Sequence, residues 1–86
     1  MLIMYTKTQC SFCTRAKQLL ESYSINFSEI NIESDESLRT YLKNRGLKSV
    51  PQFFVNDQHV FNGFGHLSSL SREEILQIIN GEPNAD

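Results

Sequence analysis

A pair of cysteines lies at the junction between a short apolar run and a segment with helical periodicity. Leu2 to Thr6 is typical of a buried strand, and from Cys10 onward apolar side chains recur at the spacing of one helix face. Cys10 and Cys13 are the only cysteines of the chain. Residues three apart on a helix lie on nearly the same face, so the two sulfurs are within reach of a disulfide. We therefore expect a dithiol at the start of the first helix.

The following segment predicts a second strand and a second helix. Ile25 to Ile32 is rich in apolar side chains and ends in the alternation typical of a strand. A helix is expected over residues 35–45, with Ser34 as its N-cap and Gly46 placed to end it.

The last third of the chain predicts a hairpin and a final helix. Residues 52–55 and 59–62 are two short apolar runs separated by a polar turn, which is the pattern of a hairpin. Ser71 and Glu74 form a capping box ahead of an apolar run, so we expect a helix that ends near Gly81.

This order of elements predicts the fold class. Two parallel strands joined by a helical crossover, then a helix and an antiparallel hairpin, form a small α/β sheet. With Cys-x-x-Cys after the first strand, the pattern is that of the thioredoxin fold. Numbering the predicted strands β1 to β4 along the chain, we expect a four-stranded mixed sheet of order β2-β1-β3-β4, flanked by helices on both faces. Residues 1–86 are expected to form one domain, with 82–86 as a frayed tail.

Composition narrows the classes of function. The chain has a formal net charge of -2, and its eight basic residues are scattered, which argues against a nucleic-acid partner. Its apolar runs are too short for a membrane helix, and Met1 to Tyr5 is too short for a signal peptide. We therefore expect a cytoplasmic protein without a membrane partner. In that compartment a Cys-x-x-Cys pair is kept reduced and is more often catalytic or metal-binding than a structural staple.

The position of the pair at a helix N-terminus predicts different roles for the two sulfurs. Only a thiolate attacks a disulfide, and a helix N-terminus stabilises the anion through its free N–H groups and its dipole. We predict Cys10 as the exposed nucleophile and Cys13 as the more buried resolving thiol. Lys7 either adds positive potential or is an ordinary solvated lysine. The alternative for the pair itself is a chance spacing of two core cysteines.

Two further features leave alternatives open. A zinc site needs ligands beside the two cysteines, and the spacing of His59 and His66 matches no common zinc module, so we expect no metal. Pro51 opens the third strand, where it cannot donate to the sheet. The Val50–Pro51 bond is either cis, which would turn the chain toward the cysteines, or trans.

Three segments of the sequence resemble the glutaredoxin family. Residues 5–7 (Tyr-Thr-Lys) and 10–13 (Cys-Ser-Phe-Cys) are similar to its active-site segment. Residues 49–51 (Ser-Val-Pro) resemble its Thr-Val-Pro segment, whose proline is cis. Residues 62–65 (Asn-Gly-Phe-Gly) lie where the family carries a Gly-Gly motif. The resemblance covers nearly the whole chain.

The resemblance implies glutathione-coupled thiol-disulfide exchange, with Cys10 attacking and either Cys13 or a second glutathione resolving the mixed disulfide. It implies that Lys7 meets a glutathione carboxylate, that the Val50 backbone pairs with the tripeptide, and that Phe12 walls the groove. The residues expected to bind glutathione are Lys7, Phe12, Ser49, Val50, Pro51, Gly63, Phe64 and Gly65. The implied partners are glutathione and disulfide-containing proteins, among them ribonucleotide reductase, and the protein is expected to be a monomer.

The sequence departs from the family pattern at two places. Ser11 stands where a proline is common, and in relatives a small residue there is sometimes associated with a glutathione-ligated 2Fe-2S cluster. Residues 62–66 lack the acidic group that holds the glutathione amino end. The Gly63-Phe64 pair instead resembles NrdH redoxins, which are reduced by thioredoxin reductase, although Phe64 is equally compatible with a simple core role.

Overall fold

A four-stranded mixed sheet organises the chain. In the computed structural model, which describes residues 1–81, the strands are β1 (Leu2–Thr6), β2 (Phe27–Asn31), β3 (Gln52–Val55) and β4 (Gln58–Asn62). Their order is β2-β1-β3-β4; β1 is parallel to β2 and antiparallel to β3, and β3 is antiparallel to β4. The predicted thioredoxin-fold sheet is confirmed. The predicted frayed tail, residues 82–86, lies outside the described residues.

Helices cover both faces of this sheet, as predicted. Within residues 1–81 they are α1 (Ser11–Ser22), α2 (Glu36–Asn44), α3 (Gly63–Ser68) and α4 (Arg72–Asn80), with one 3₁₀ turn at Ile32–Ser34. No helix in this part of the chain is long and apolar enough to span a membrane.

The alternation of β1 distributes its side chains between two apolar layers. Leu2 and Met4 point to the layer formed with α1, α3 and α4, where Ala16 and Leu20 are fully buried. Tyr5 points to the opposite layer, against α2 and Phe54. Because successive strand residues face opposite sides, a short apolar run can serve both layers. The cysteine-bearing helix is therefore fixed to the same sheet as Pro51 and its neighbours.

The link between β2 and α2 differs from the prediction. The strand covers Phe27–Asn31 rather than residues 25–32, because the chain turns into the 3₁₀ segment at Ile32. The N-cap of α2 is Asp35 and not Ser34: its extended backbone lets its carboxylate accept the Ser37 N–H at 2.9 Å. Ser34 ends the 3₁₀ turn, and its hydroxyl donates to a backbone carbonyl there.

The end of the hairpin was only partly predicted. The turn consists of Asn56 and Asp57, both at positive φ, so β4 begins one residue earlier than expected. Helix α3 was missed because six residues containing two glycines carry no apolar periodicity. The capping box at Ser71 is present and begins α4 as predicted.

Candidate active site

The two cysteines are joined in a disulfide at the N-terminus of α1. Their Cα atoms are 5.2 Å apart. Cys10 is the N-cap, with an extended backbone, and its sulfur accepts the Cys13 N–H at 3.1 Å. Gln9 has a φ of 58°, which turns the chain from β1 into the helix. One backbone donor of the helix end is thus directed at the Cys10 sulfur, where it stabilises a thiolate.

The two sulfurs differ in their access to solvent. Cys13 is only 2% exposed, whereas Cys10 is half-buried. Cys10 was expected to be exposed and is instead half-buried, because the Ser49–Pro51 segment lies beside it. Cys10 nevertheless remains the more accessible of the two sulfurs.

The Val50–Pro51 peptide is cis, so the trans alternative was wrong. The Val50 carbonyl oxygen lies 3.9 Å from the Cys10 sulfur, although forty positions separate the two residues. Pro51 is buried, Val50 is half-buried and Ser49 is exposed. A stretch of backbone therefore borders the sulfur on one side.

A cleft of about 300 Å³ extends from this backbone toward α2. Lys7, Ser49 and Val50 line it, as does a group of basic residues that sequence reasoning missed: Arg39, Lys43 and Lys48. The sequence did indicate that Arg39 and Lys43 lie together, since residues four apart on a helix share a face. Among the described residues that line the cleft, Glu33 is the only acid. The cleft thus carries a positive charge within a chain of net charge -2.

Two aromatic rings lie on the other side of the cysteines. Phe12 is 53% exposed and stacks on Phe64, with ring centroids 6.2 Å apart. The guanidinium of Arg15 lies 5.6 Å from the Phe12 centroid. Phe64 also packs against the core layer beneath α3. It therefore contributes to the core and to the rim of the site at once.

The glycines near Phe64 differ in their surroundings. Gly63 has a φ of +80°, and a side chain there would begin 4.0 Å from the Pro51 carbonyl oxygen. Gly65 is exposed and has open space around it. The structure thus brings Gly63 to the Pro51 segment but leaves Gly65 on the outer side of the turn.

A buried polar side chain joins the Pro51 segment to β4, and sequence reasoning did not find it. Gln52 is 1% exposed, and its side-chain amide makes two hydrogen bonds. The amide nitrogen donates to Asn62 Oδ1 at 2.9 Å, and the amide oxygen lies 2.7 Å from His59 Nε2. Burial lowers the pKa of His59. His66 Nδ1 accepts the Asn62 N–H at 3.1 Å. Both histidines therefore have hydrogen-bond partners within the fold.

Within residues 1–81 no three His, Cys, Asp or Glu residues lie close enough together to hold a metal ion.

The family model described as Glutaredoxin matches residues 2–60. The chain belongs to the glutaredoxin family. Glutaredoxin 1 of Rickettsia felis is 34% identical over 86 residues, which span 95% of this chain and 83% of that relative. Glutaredoxin 3 of Escherichia coli K12 is 40% identical over 58 residues, 66% of this chain and 70% of the relative. This glutaredoxin is therefore a thiol-disulfide oxidoreductase whose redox pair is Cys10 and Cys13.

Solved structures agree with this assignment. The solution structure of glutaredoxin from Brucella melitensis has a TM-score of 0.75 and 31% identity, over 96% of this chain and 92% of that one. The buckwheat glutaredoxin-glutathione complex has a TM-score of 0.75 at 20% identity, over 93% and 76%. NrdH-redoxin from Escherichia coli has a TM-score of 0.67 at 21% identity, over 99% and 97%. The last two likenesses show the fold alone.

Proposed function

We propose that this glutaredoxin uses glutathione as its reductant and acts on protein disulfides and glutathione mixed disulfides in the cytoplasm. The observation that carries the proposal is the basic cleft, which is lined by Val50, the residue whose carbonyl oxygen lies 3.9 Å from the Cys10 sulfur. Glutathione is an extended tripeptide with two carboxylates, so it presents both backbone groups and negative charge to such a cleft. A related fold, that of buckwheat glutaredoxin, is known in complex with glutathione.

The chemistry follows from the different access to the two sulfurs. The Cys10 thiolate attacks one sulfur of the substrate disulfide and forms a mixed disulfide, while the other half leaves as a thiolate and takes up a proton. Cys13 then loses its proton and attacks the Cys10 sulfur, which closes the internal disulfide and releases the second thiol. Two glutathione thiols supply the two electrons that reopen it, and they leave as oxidised glutathione.

Different residues around the site bind different parts of the glutathione tripeptide. Lys7 and Arg39 bind a carboxylate through charge-assisted hydrogen bonds. The backbone of Val50, positioned by Ser49 and Pro51, pairs with the peptide in the manner of an added strand. Phe12 forms the wall next to the sulfur.

The turn into α3 completes the rim of the proposed glutathione site. Gly63 adopts the positive φ that leads into α3 beside the Pro51 carbonyl, and Phe64 stacks on the Phe12 ring. Gly65 is exposed, in the first turn of α3. These three residues shape the rim and supply no charge to the glutathione amino end.

A second candidate function is that of a redoxin reduced by thioredoxin reductase. Its support is the stacked Phe12–Phe64 pair, which gives the site an apolar rim where glutaredoxins carry an acidic group. An apolar rim suits a protein surface better than the charged amino end of glutathione. In either case ribonucleotide reductase is a candidate protein substrate.

One coupled assay distinguishes the two electron sources. NADPH is supplied either with glutathione and glutathione reductase or with thioredoxin reductase alone, and turnover of a small disulfide is followed through NADPH oxidation. The proposal predicts sustained turnover with glutathione, and Cys10→Ser serves as the inactive control. Turnover with thioredoxin reductase only would refute glutathione dependence and favour the second candidate.

The cluster hypothesis has its own test. Anaerobic reconstitution with iron, sulfide and glutathione, followed by gel filtration, would give a coloured species larger than the monomer if a 2Fe-2S cluster bridges two chains. A colourless monomer would refute it.

A further inference from the structure

The basic cleft contains an internal counter-ion. Glu33, in the 3₁₀ turn before α2, accepts the Thr8 N–H at 2.9 Å through one carboxylate oxygen. Its other oxygen lies 3.6 Å from the Arg39 guanidinium. Glu33 thus connects the loop that leads to Cys10 with the basic face of α2.

This carboxylate is charged at neutral pH. Hydrogen bonds from the Thr8 hydroxyl and N–H, with the nearby charges of Arg39 and Lys7, hold the pKa of Glu33 below its usual value. The side chain therefore presents a negative charge among the cations that line the cleft.

A ligand carboxylate entering the cleft must compete with that charge. Arg39 reaches the ligand only by giving up Glu33 or by sharing its donors with it. Because Glu33 lies 3.6 Å from Arg39, a ligand carboxylate bound to Arg39 would also be repelled by Glu33 within the screening length of about 8 Å at physiological ionic strength. A disulfide without carboxylates neither competes with Glu33 for Arg39 nor is repelled by the Glu33 charge.

We propose that Glu33 is a specificity-determining residue that weakens the cleft for anionic disulfides such as oxidised glutathione relative to neutral ones. The inference rests on the proposed function of the cleft. Under this proposal, Glu33 sets how strongly the cleft prefers oxidised glutathione over less anionic disulfides.

The test is Glu33→Gln, which retains one oxygen to accept the Thr8 N–H and removes the negative charge that faces Arg39. The rate constant for oxidation of the reduced protein is measured by stopped flow with oxidised glutathione and with bis(2-hydroxyethyl) disulfide. We expect an increase of about two- to five-fold for oxidised glutathione, the size that exposed ion pairs produce, and no change for the neutral disulfide. Glu21→Gln, an exposed acid on α1 away from the cleft, makes the same change in net charge and should alter neither rate.

A double-mutant cycle with Arg39→Gln tests the competition itself. If Glu33 occupies Arg39, removing Arg39 should slow the reaction with oxidised glutathione more in the Glu33→Gln background than in the wild type. Equal effects in the two backgrounds would overturn the competition. An unchanged rate for oxidised glutathione in Glu33→Gln, or an equal change for both disulfides, would overturn the proposal.

The outcome for the wild type separates this inference from the proposed function. If glutathione does not sustain turnover of the wild-type protein, the proposed function fails whatever Glu33 does. If the wild type turns over and Glu33→Gln shows no selective gain, only the role of Glu33 is refuted.

Discussion

Cys10 serves both as the proposed nucleophile and as the N-cap of α1, and substitutions can separate these two roles. Its sulfur accepts the Cys13 N–H, a bond that a serine hydroxyl at the same position can also accept. Cys10→Ser should therefore retain the helix cap while losing the thiolate. Cys10→Ala should lose both. Neither variant can form the internal disulfide, so the two are compared in the same redox state.

The expected difference in stability follows from the cap. Replacing serine by alanine at an N-cap costs about 0.5 to 2 kcal/mol. Unfolding entropy of about 2.1 cal/mol/K per residue gives roughly 0.18 kcal/mol/K for this chain of 86 residues. The alanine variant should therefore melt about 3 to 11 °C below the serine variant.

The assay combines thermal unfolding under reducing conditions with disulfide exchange. Both variants should show no exchange, because an alcohol or a methyl group does not attack a disulfide at neutral pH. Cys13→Ser, by contrast, should retain exchange on glutathione mixed disulfides because glutathione itself can resolve them. Full turnover by Cys10→Ser would refute the nucleophile assignment. Equal melting temperatures for Cys10→Ser and Cys10→Ala would refute the capping role.

Three further predictions concern the cleft, the last helix and the alkaline range. Lys7→Gln should lower kcat/KM for glutathione mixed disulfides about two- to five-fold, with the loss shrinking as salt is added; a loss independent of salt would contradict a charge contact. Ser71→Ala removes one half of the capping box and should cost about 1 kcal/mol in a denaturant titration, with exchange rates unchanged; an altered rate would show that α4 influences the site. Burial, then the hydrogen bond to Asp57, raises the pKa of Tyr41 to about 12. The folded state thus holds this proton more tightly than the unfolded state, whose pKa is about 10, and stability should be lost as the pH rises from 10 toward 12. Tyr41→Phe should flatten that decline in melting temperature, and an unchanged slope would contradict the assignment.

The fold could be predicted largely because its signals are local. The apolar run of β1, the helical spacing after Cys10 and the capping box at Ser71 each involve residues that are close together in the sequence. Short-range sterics and hydrogen bonds determine such patterns, so they are readable without knowing the rest of the molecule. Helix α3 was missed because its six residues, two of them glycines, carry no apolar periodicity.

The candidate site could be predicted only in part. The cysteine pair and its division into an accessible and a buried sulfur follow from position on the helix. The N-cap of α2 was misplaced by one residue because Ser34 and Asp35 are both good caps, and only the 3₁₀ turn decides between them. The spacing of Arg39 and Lys43 places them on one face of α2, but only the tertiary structure sets that face opposite Lys7 and Val50 to form a cleft.

The sequence by itself therefore determined where the dithiol lies, at which helix end it is held and which family the chain resembles. The tertiary structure decided what surrounds the dithiol. It placed the Val50 carbonyl beside Cys10, Glu33 beside Thr8, and Phe64 against Phe12. These pairs are distant in the chain and meet only because the sheet order and the helix packing bring their elements together. Charge and access at the sulfur depend on such contacts, and no periodicity in the sequence encodes them.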